Sequence, residues 1–128
     1  MSIYLKYLLA WLPMMVIAVG NGTLRDLGYK KHVGELTAHQ ISTFSLIVFL
    51  GVYIRYFVSA VPLATGRQAI IMGLLWLMLT LCFEFGLGRT RGRSLETLLA
   101  DYDLAHGRLW ALIPIFIAVA PYIFHKLR

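Results

Sequence analysis

Glu84, Asp101 and His39 are the side chains of this chain best suited to moving protons, and Arg25 and Arg108 those best suited to holding an anion. Carboxylates and imidazoles act as general acids or bases when their surroundings tune them. Guanidinium groups grip phosphate or carboxylate through paired donors. Glu84 is the most conspicuous of the set. It lies in "LCFEFGLGR", inside a run that is apolar for about twenty residues up to Gly88. A carboxylate there must take a proton or find a cation. The cations within reach by sequence are Arg25, Arg89, Arg108 and His39, so the expected role of Glu84 is an ion pair that ties helix ends together. A proton- or substrate-handling role and simple interfacial exposure are the alternatives. No nucleophile–base spacing accompanies these residues.

These groups come from distant parts of the chain, so the elements that carry them decide whether they meet. The chain has 128 residues, of which 59% are hydrophobic and 14% charged. Its mean hydropathy is +0.74. Soluble domains carry about 25% charged residues, so lipid is the expected solvent for most of this surface. Four segments have the roughly 17–25 apolar residues that a membrane helix needs. They run over about residues 3–20, 39–59, 69–88 and 107–124. Backbone groups in lipid must bond internally, which makes helices of all four. The expected fold is all-α: one domain over residues 1–128, an integral membrane four-helix bundle with a short amphipathic interfacial helix before the fourth span. The N-terminal stretch has no clear cleavage site and reads as a retained first span. Pro13, Pro114 and Pro121 should kink or loosen helices without ending them.

Four spans put both termini on one side with the turn near Pro62–Arg67. The segments Asn21–Ala38 and Arg89–His106 share the other side as loops. All six acids, Asp26, Glu35, Glu84, Glu96, Asp101 and Asp103, then gather at that second end. The terminal end holds only the bases Lys6, Arg55, Arg67, Lys126 and Arg128. The count of Lys and Arg on the two sides gives the positive-inside rule little purchase. Both termini are placed in the cytoplasm. Arg55 is expected to snorkel at the interface, within a belt formed by Tyr4, Tyr7, Tyr53, Tyr56 and Tyr122.

The acid-bearing end carries the local signals. "GRSLETLLADYDL" places Leu95, Leu98, Leu99 and Tyr102 on one helical face, with Ser94 as its N-cap. This helix either lies over the bundle end as a lid, or brings Asp101, Tyr102 and Arg108 to a polar pocket with Glu84. Thr37 and Gln40 match a capping box at the start of the second span. His39 and Thr43 share a face one turn apart. No H-x-x-x-H or E-x-x-H pair supports a metal site, and no cofactor is expected. The single Cys82 excludes an internal disulfide and reads as a packing residue. "GLGRTRGRS" has neither of the phosphate-loop spacings and follows a span, not a strand. "NGT" at Asn21 matches a glycosylation pattern but lies almost against the membrane. No span carries GxxxG. A net charge of +6 points to anionic lipid headgroups and not to nucleic acid, because the bases flank apolar runs.

"FEFGLGRTRGRSLETLLADYDLAHGRLW", with "NGTLRDL" and "ELTAHQIST", resembles a family of small, uncharacterised bacterial four-span membrane proteins. The resemblance covers most of the chain. It is most specific at Asn21, Arg25, His39, Gln40, Glu84, Asp101, Tyr102, Arg108 and Trp110. It implies four helices and a bacterial inner membrane, and it brings no activity. Together with Arg89, all of these but Trp110 make up the expected polar-end cluster.

Three functions are consistent with this pattern. A non-enzymatic structural or accessory protein, acting on a membrane protein partner or on its own copies, needs only a bundle and a polar end. An oligomeric transporter or channel would use Glu84 and the arginines at one mouth, yet the midplane offers little beyond Ser45 and Thr80. An interfacial enzyme acting on a lipid or quinone would require a cleft lined by both Glu84 and His39. The accessory reading leads.

Overall fold

The computed structural model describes residues 2–100, 102 and 109–127. Among the described residues six α-helices follow one another: α1 (Ile3–Leu24), α2 (Lys30–Val33), α3 (Glu35–Ala60), α4 (Gly66–Thr90), α5 (Leu95–Ala100) and α6 (Leu112–Lys126). A π-helical turn, Arg25–Tyr29, continues α1, and a 3-10 turn, Leu109–Ala111, precedes α6. Four segments are long and apolar enough to cross a membrane: Ile3–Tyr29, Glu35–Ala60, Gly66–Thr90 and Leu109–Lys126. This is a multi-pass membrane protein built as an all-α four-helix bundle, as its composition requires.

The helices extend beyond the expected spans. The segment Asn21–Ala38, expected as a loop, is nearly all helical, and the chain turns only at Gly34, whose φ is +88°. Glycine reaches that conformation without a Cβ penalty. The capping box lies elsewhere too. Helix α3 already starts at Glu35, which places Thr37 inside it. The pattern T-x-x-Q recurs at Thr65–Gln68, and there it caps α4. The Gln68 amide N–H donates to Thr65 Oγ1 at 3.1 Å, and the Gln68 side chain accepts from the Ala64 N–H at 2.9 Å. Ser94 caps α5 as expected, accepting from the Thr97 N–H at 3.2 Å.

α1 packs on α3 and α4, and α6 packs on the same two helices from the other side. The turn between α3 and α4 therefore crosses a diagonal of the bundle, with Leu63 buried beneath it. Water does not drive helices together inside lipid, so close packing and hydrogen bonds do. The tightest approach is at Gly73, where a Cβ would lie 1.9 Å from the carbonyl oxygen of Ala118 on α6. Aromatic donors cross-link the helices. Tyr7 Oη donates to the Val61 carbonyl at 2.6 Å, Tyr53 Oη to the Ala10 carbonyl at 2.8 Å and Trp76 Nε1 to the Tyr7 carbonyl at 2.7 Å. Trp11 Nε1 reaches Thr80 Oγ1 at 3.1 Å. The interfacial belt is thus smaller than expected. Tyr4, Tyr56 and Tyr122 are exposed, whereas Tyr7 is fully buried and Tyr53 bonds inward. Cys82, expected to pack, is exposed on α4.

Candidate functional site

At the end of the bundle away from the termini, α1 and α4 part around a cleft of about 160 Å³. Its apolar wall includes Met15, Val19, Phe83 and Leu87. Its polar lining includes Arg25, Asp26, His39, Glu84, Arg91, Arg93 and Tyr102, with Trp110 alongside.

Glu84 lies about 9 Å before the end of α4, taking six residues at about 1.5 Å each. Donors from outside its helix meet it. Trp110 Nε1 donates to Oε1 at 3.1 Å, and the Tyr102 hydroxyl donates to Oε2. The carboxylate thereby ties α4 to the residue just beyond α5 and to the turn that opens α6. Tyr102 is also stacked on Phe85, with ring centroids 5.7 Å apart.

Trp110 is the hub of the cluster. Besides its bond to Glu84, its ring lies 5.3 Å from the His39 ring and 5.8 Å from the Arg25 guanidinium carbon. A guanidinium over an indole face is held by the ring quadrupole. Arg25 belongs to the π-helical turn, whose wider winding inserts an extra residue and re-aims the side chains. Its Nε forms an ion pair with Asp26 Oδ1 at 2.9 Å, and its Nη1 approaches Ser42 Oγ at 3.5 Å. Below it, buried Asn21 bridges to α3. Its Nδ2 donates to Ser45 Oγ at 2.9 Å, and its Oδ1 accepts from the Ser42 hydroxyl. Thr43 Oγ1 bonds back to the His39 carbonyl at 2.9 Å, the local satisfaction open to a buried Thr in a helix.

The structure therefore brings Asn21, Arg25, His39, Glu84 and Tyr102 into one connected end. Gln40 is half-buried on α3 outside the cleft lining, and Arg89 is exposed outside it. Asp101 and Arg108 lie outside the described residues. The ion pair observed for Arg25 is with its neighbour Asp26, and Glu84 is met by the Tyr102 hydroxyl and the Trp110 indole. Among the described residues, no three of His, Cys, Asp and Glu converge as a metal site would need.

Arg91 and Arg93 are site residues that spacing alone did not reveal. α4 ends in a Schellman motif: the Arg93 N–H reaches the Gly88 carbonyl and the Gly92 N–H the Arg89 carbonyl, each at 3.0 Å. Gly92 has a φ of +84°. This reversal puts both arginines on the cleft. The glycines of "GLGRTRGRS" are thus those of a helix C-cap, and the signal was a Gly following a basic last turn.

No family model, curated protein or solved structure matches this chain.

Proposed function

We propose that this chain is a non-catalytic membrane protein that works through partners, engaging another membrane protein or further copies of itself at its polar end. We place it in a bacterial inner membrane with both termini in the cytoplasm. One observation carries the reading: the bundle divides into a polar end, where Asn21, Arg25, Glu84 and Tyr102 are tied to neighbouring side chains, and a closed apolar interior. Beneath the Asn21–Ser42–Ser45 bonds, Met14, Leu46, Leu50, Met72, Trp76, Ile113 and Ile117 are almost fully buried. A conducting path needs polar groups through the bundle. Polar groups within the bundle are bonded to one another or to the backbone, the Trp11 indole to Thr80 and the Trp76 indole to the Tyr7 carbonyl.

Native mass spectrometry on protein released gently from lipid particles tests this. The expected result is a second protein at fixed stoichiometry or a defined oligomer of this chain. A lone chain that drives ion flux in liposomes, with the flux lost in E84Q while the fold persists, overturns it.

A second reading, an interfacial enzyme acting on a lipid or quinone, is favoured by one feature: Glu84 and His39 line the same cleft. Chemical change in lipids or quinone incubated with the chain, absent in E84Q and H39A, would favour it over the first.

A further inference from the structure

We infer that the cleft at the polar end binds the phosphate of an anionic membrane lipid, with Arg91 as the principal headgroup contact and Arg93 beside it. The site does not depend on the partner-binding reading and would exist in a lone chain.

Charge favours an anion. Among the described residues, three arginines line the cleft, Arg25, Arg91 and Arg93, against two carboxylates, Asp26 and Glu84. Both carboxylates are already engaged: Asp26 pairs with Arg25, and Glu84 accepts from Tyr102 and Trp110. Arg91 differs from these groups. It is exposed on the cleft, and its side chain makes no hydrogen bond or ion pair among the described residues. Its backbone is nevertheless fixed, since its N–H bonds to the Leu87 carbonyl at 3.0 Å and the Schellman turn follows directly. A guanidinium fork held on a rigid backbone with open donors is suited to phosphate.

The surroundings favour a lipid as the source of that phosphate. Much of the same lining is apolar and belongs to the spans themselves, through Met15 and Val19 on α1 and Phe83 and Leu87 on α4. The cleft therefore faces a headgroup with donors and an acyl chain with hydrocarbon. Its volume, about 160 Å³, is below the roughly 300–1,000 Å³ of sites that enclose drug-sized ligands. It suits a headgroup whose chains stay in the bilayer. Nearby α5 leaves Leu95 and Leu99 about half exposed, at 52% and 53%. That pattern fits a helix lying at the headgroup level.

The test uses the full chain in lipid nanodiscs of phosphatidylcholine, with or without phosphatidylglycerol, read by native mass spectrometry of retained lipid. Phosphatidylglycerol is expected to be retained over phosphatidylcholine. Loss of a charge-assisted contact is worth about tenfold or more, so R91A should cut the preference by about that factor. R93A should cut it less, and R67A at the opposite end should leave it intact. Circular dichroism melting of each variant shows that the fold survives. Equal retention of the two lipids overturns the proposal, as does an R91A variant that is folded yet keeps the preference. Displacement by inorganic phosphate, without any lipid preference, overturns the lipid as the source.

Discussion

A carboxylate placed inside an apolar helix must be met by donors, and the two observed on Glu84 come from beyond its own helix. That arrangement makes Glu84 a tie between α4 and the chain that leads into α6. Replacing it with Ala leaves the Tyr102 hydroxyl and the Trp110 indole without this acceptor. Hydrogen bonds to charged groups are worth about 1.5–3 kcal/mol, and these are partly buried. E84A is expected to lower stability by about 2–3 kcal/mol, read as thermal unfolding in detergent. E84Q keeps a carbonyl acceptor and should lose less. An E84A protein that melts with the wild type would show that the tie holds nothing together. Tyr7 and Tyr53 carry a related lesson. Their positions near span ends suit an interfacial belt, but each phenol instead reaches a backbone carbonyl on a neighbouring helix. Which way a tyrosine at such a position turns depends on whether a neighbouring carbonyl lies within reach.

Among the elements, α4 and α6 meet most closely, and they meet at a glycine. Gly73 lets the Ala118 carbonyl approach to where a methyl group would stand. G73A cannot be absorbed by a side-chain rotation, because the obstructing atoms are backbone. The helices must part, and the cost should be several times the few tenths of a kcal/mol of a neutral surface change, about 2 kcal/mol or more. Thermal unfolding of G73A beside G86A, where a Cβ meets nothing within 4 Å, isolates the packing effect from helix propensity. G86A should melt at or above the wild-type temperature, since Ala is the better helix former. The lack of a GxxxG motif signals no helix contact, and one small residue at the right register still makes the closest one. The ends of α1 and α3 show a second limit of local reading. "NGTLRDLGYKKHVG" is rich in weak helix formers, yet it winds as α1, a π turn and α2 as far as Val33. Side-chain bonds from Asn21 and Arg25 to Ser42 and Ser45 on α3 hold the first part of this stretch, although no residue of the π turn is buried.

For the molecule, four crossings put the two termini and the α3–α4 turn at one end, and the cleft at the other. The Tyr7–Val61 bond and the approach of Tyr122 to Gly66 join the parts of the terminal end. Reporter fusions check the arrangement. A cytoplasm-dependent fluorescent reporter after Arg128 and one inserted near Ala64 should give the same signal, and one inserted after Gly92 the opposite signal. Equal signals at Ala64 and Gly92 would contradict the four-span reading. The proposed orientation adds that the Arg128 fusion is the fluorescent one. In that case the arginine-lined cleft faces the outer leaflet.

The number of spans, their helical state and the placing of Asp26, Glu35, Glu84 and Glu96 at one end follow from the sequence by itself. Apolar run length and the need to satisfy backbone groups in lipid leave no other solution. The N-cap at Ser94 was equally legible, because capping is a local bond between residues three apart. The tertiary structure decided the rest. It placed the working capping box at Thr65 instead of Thr37, two sites with the same local pattern. It drew Trp110, His39 and Arg25 into one cluster, and it turned Arg91 and Arg93 onto the cleft. Those contacts join residues tens of positions apart, and they depend on how each helix is rotated about its axis. In a bundle whose outer surface is as apolar as its core, hydrophobic periodicity carries almost no information about that rotation.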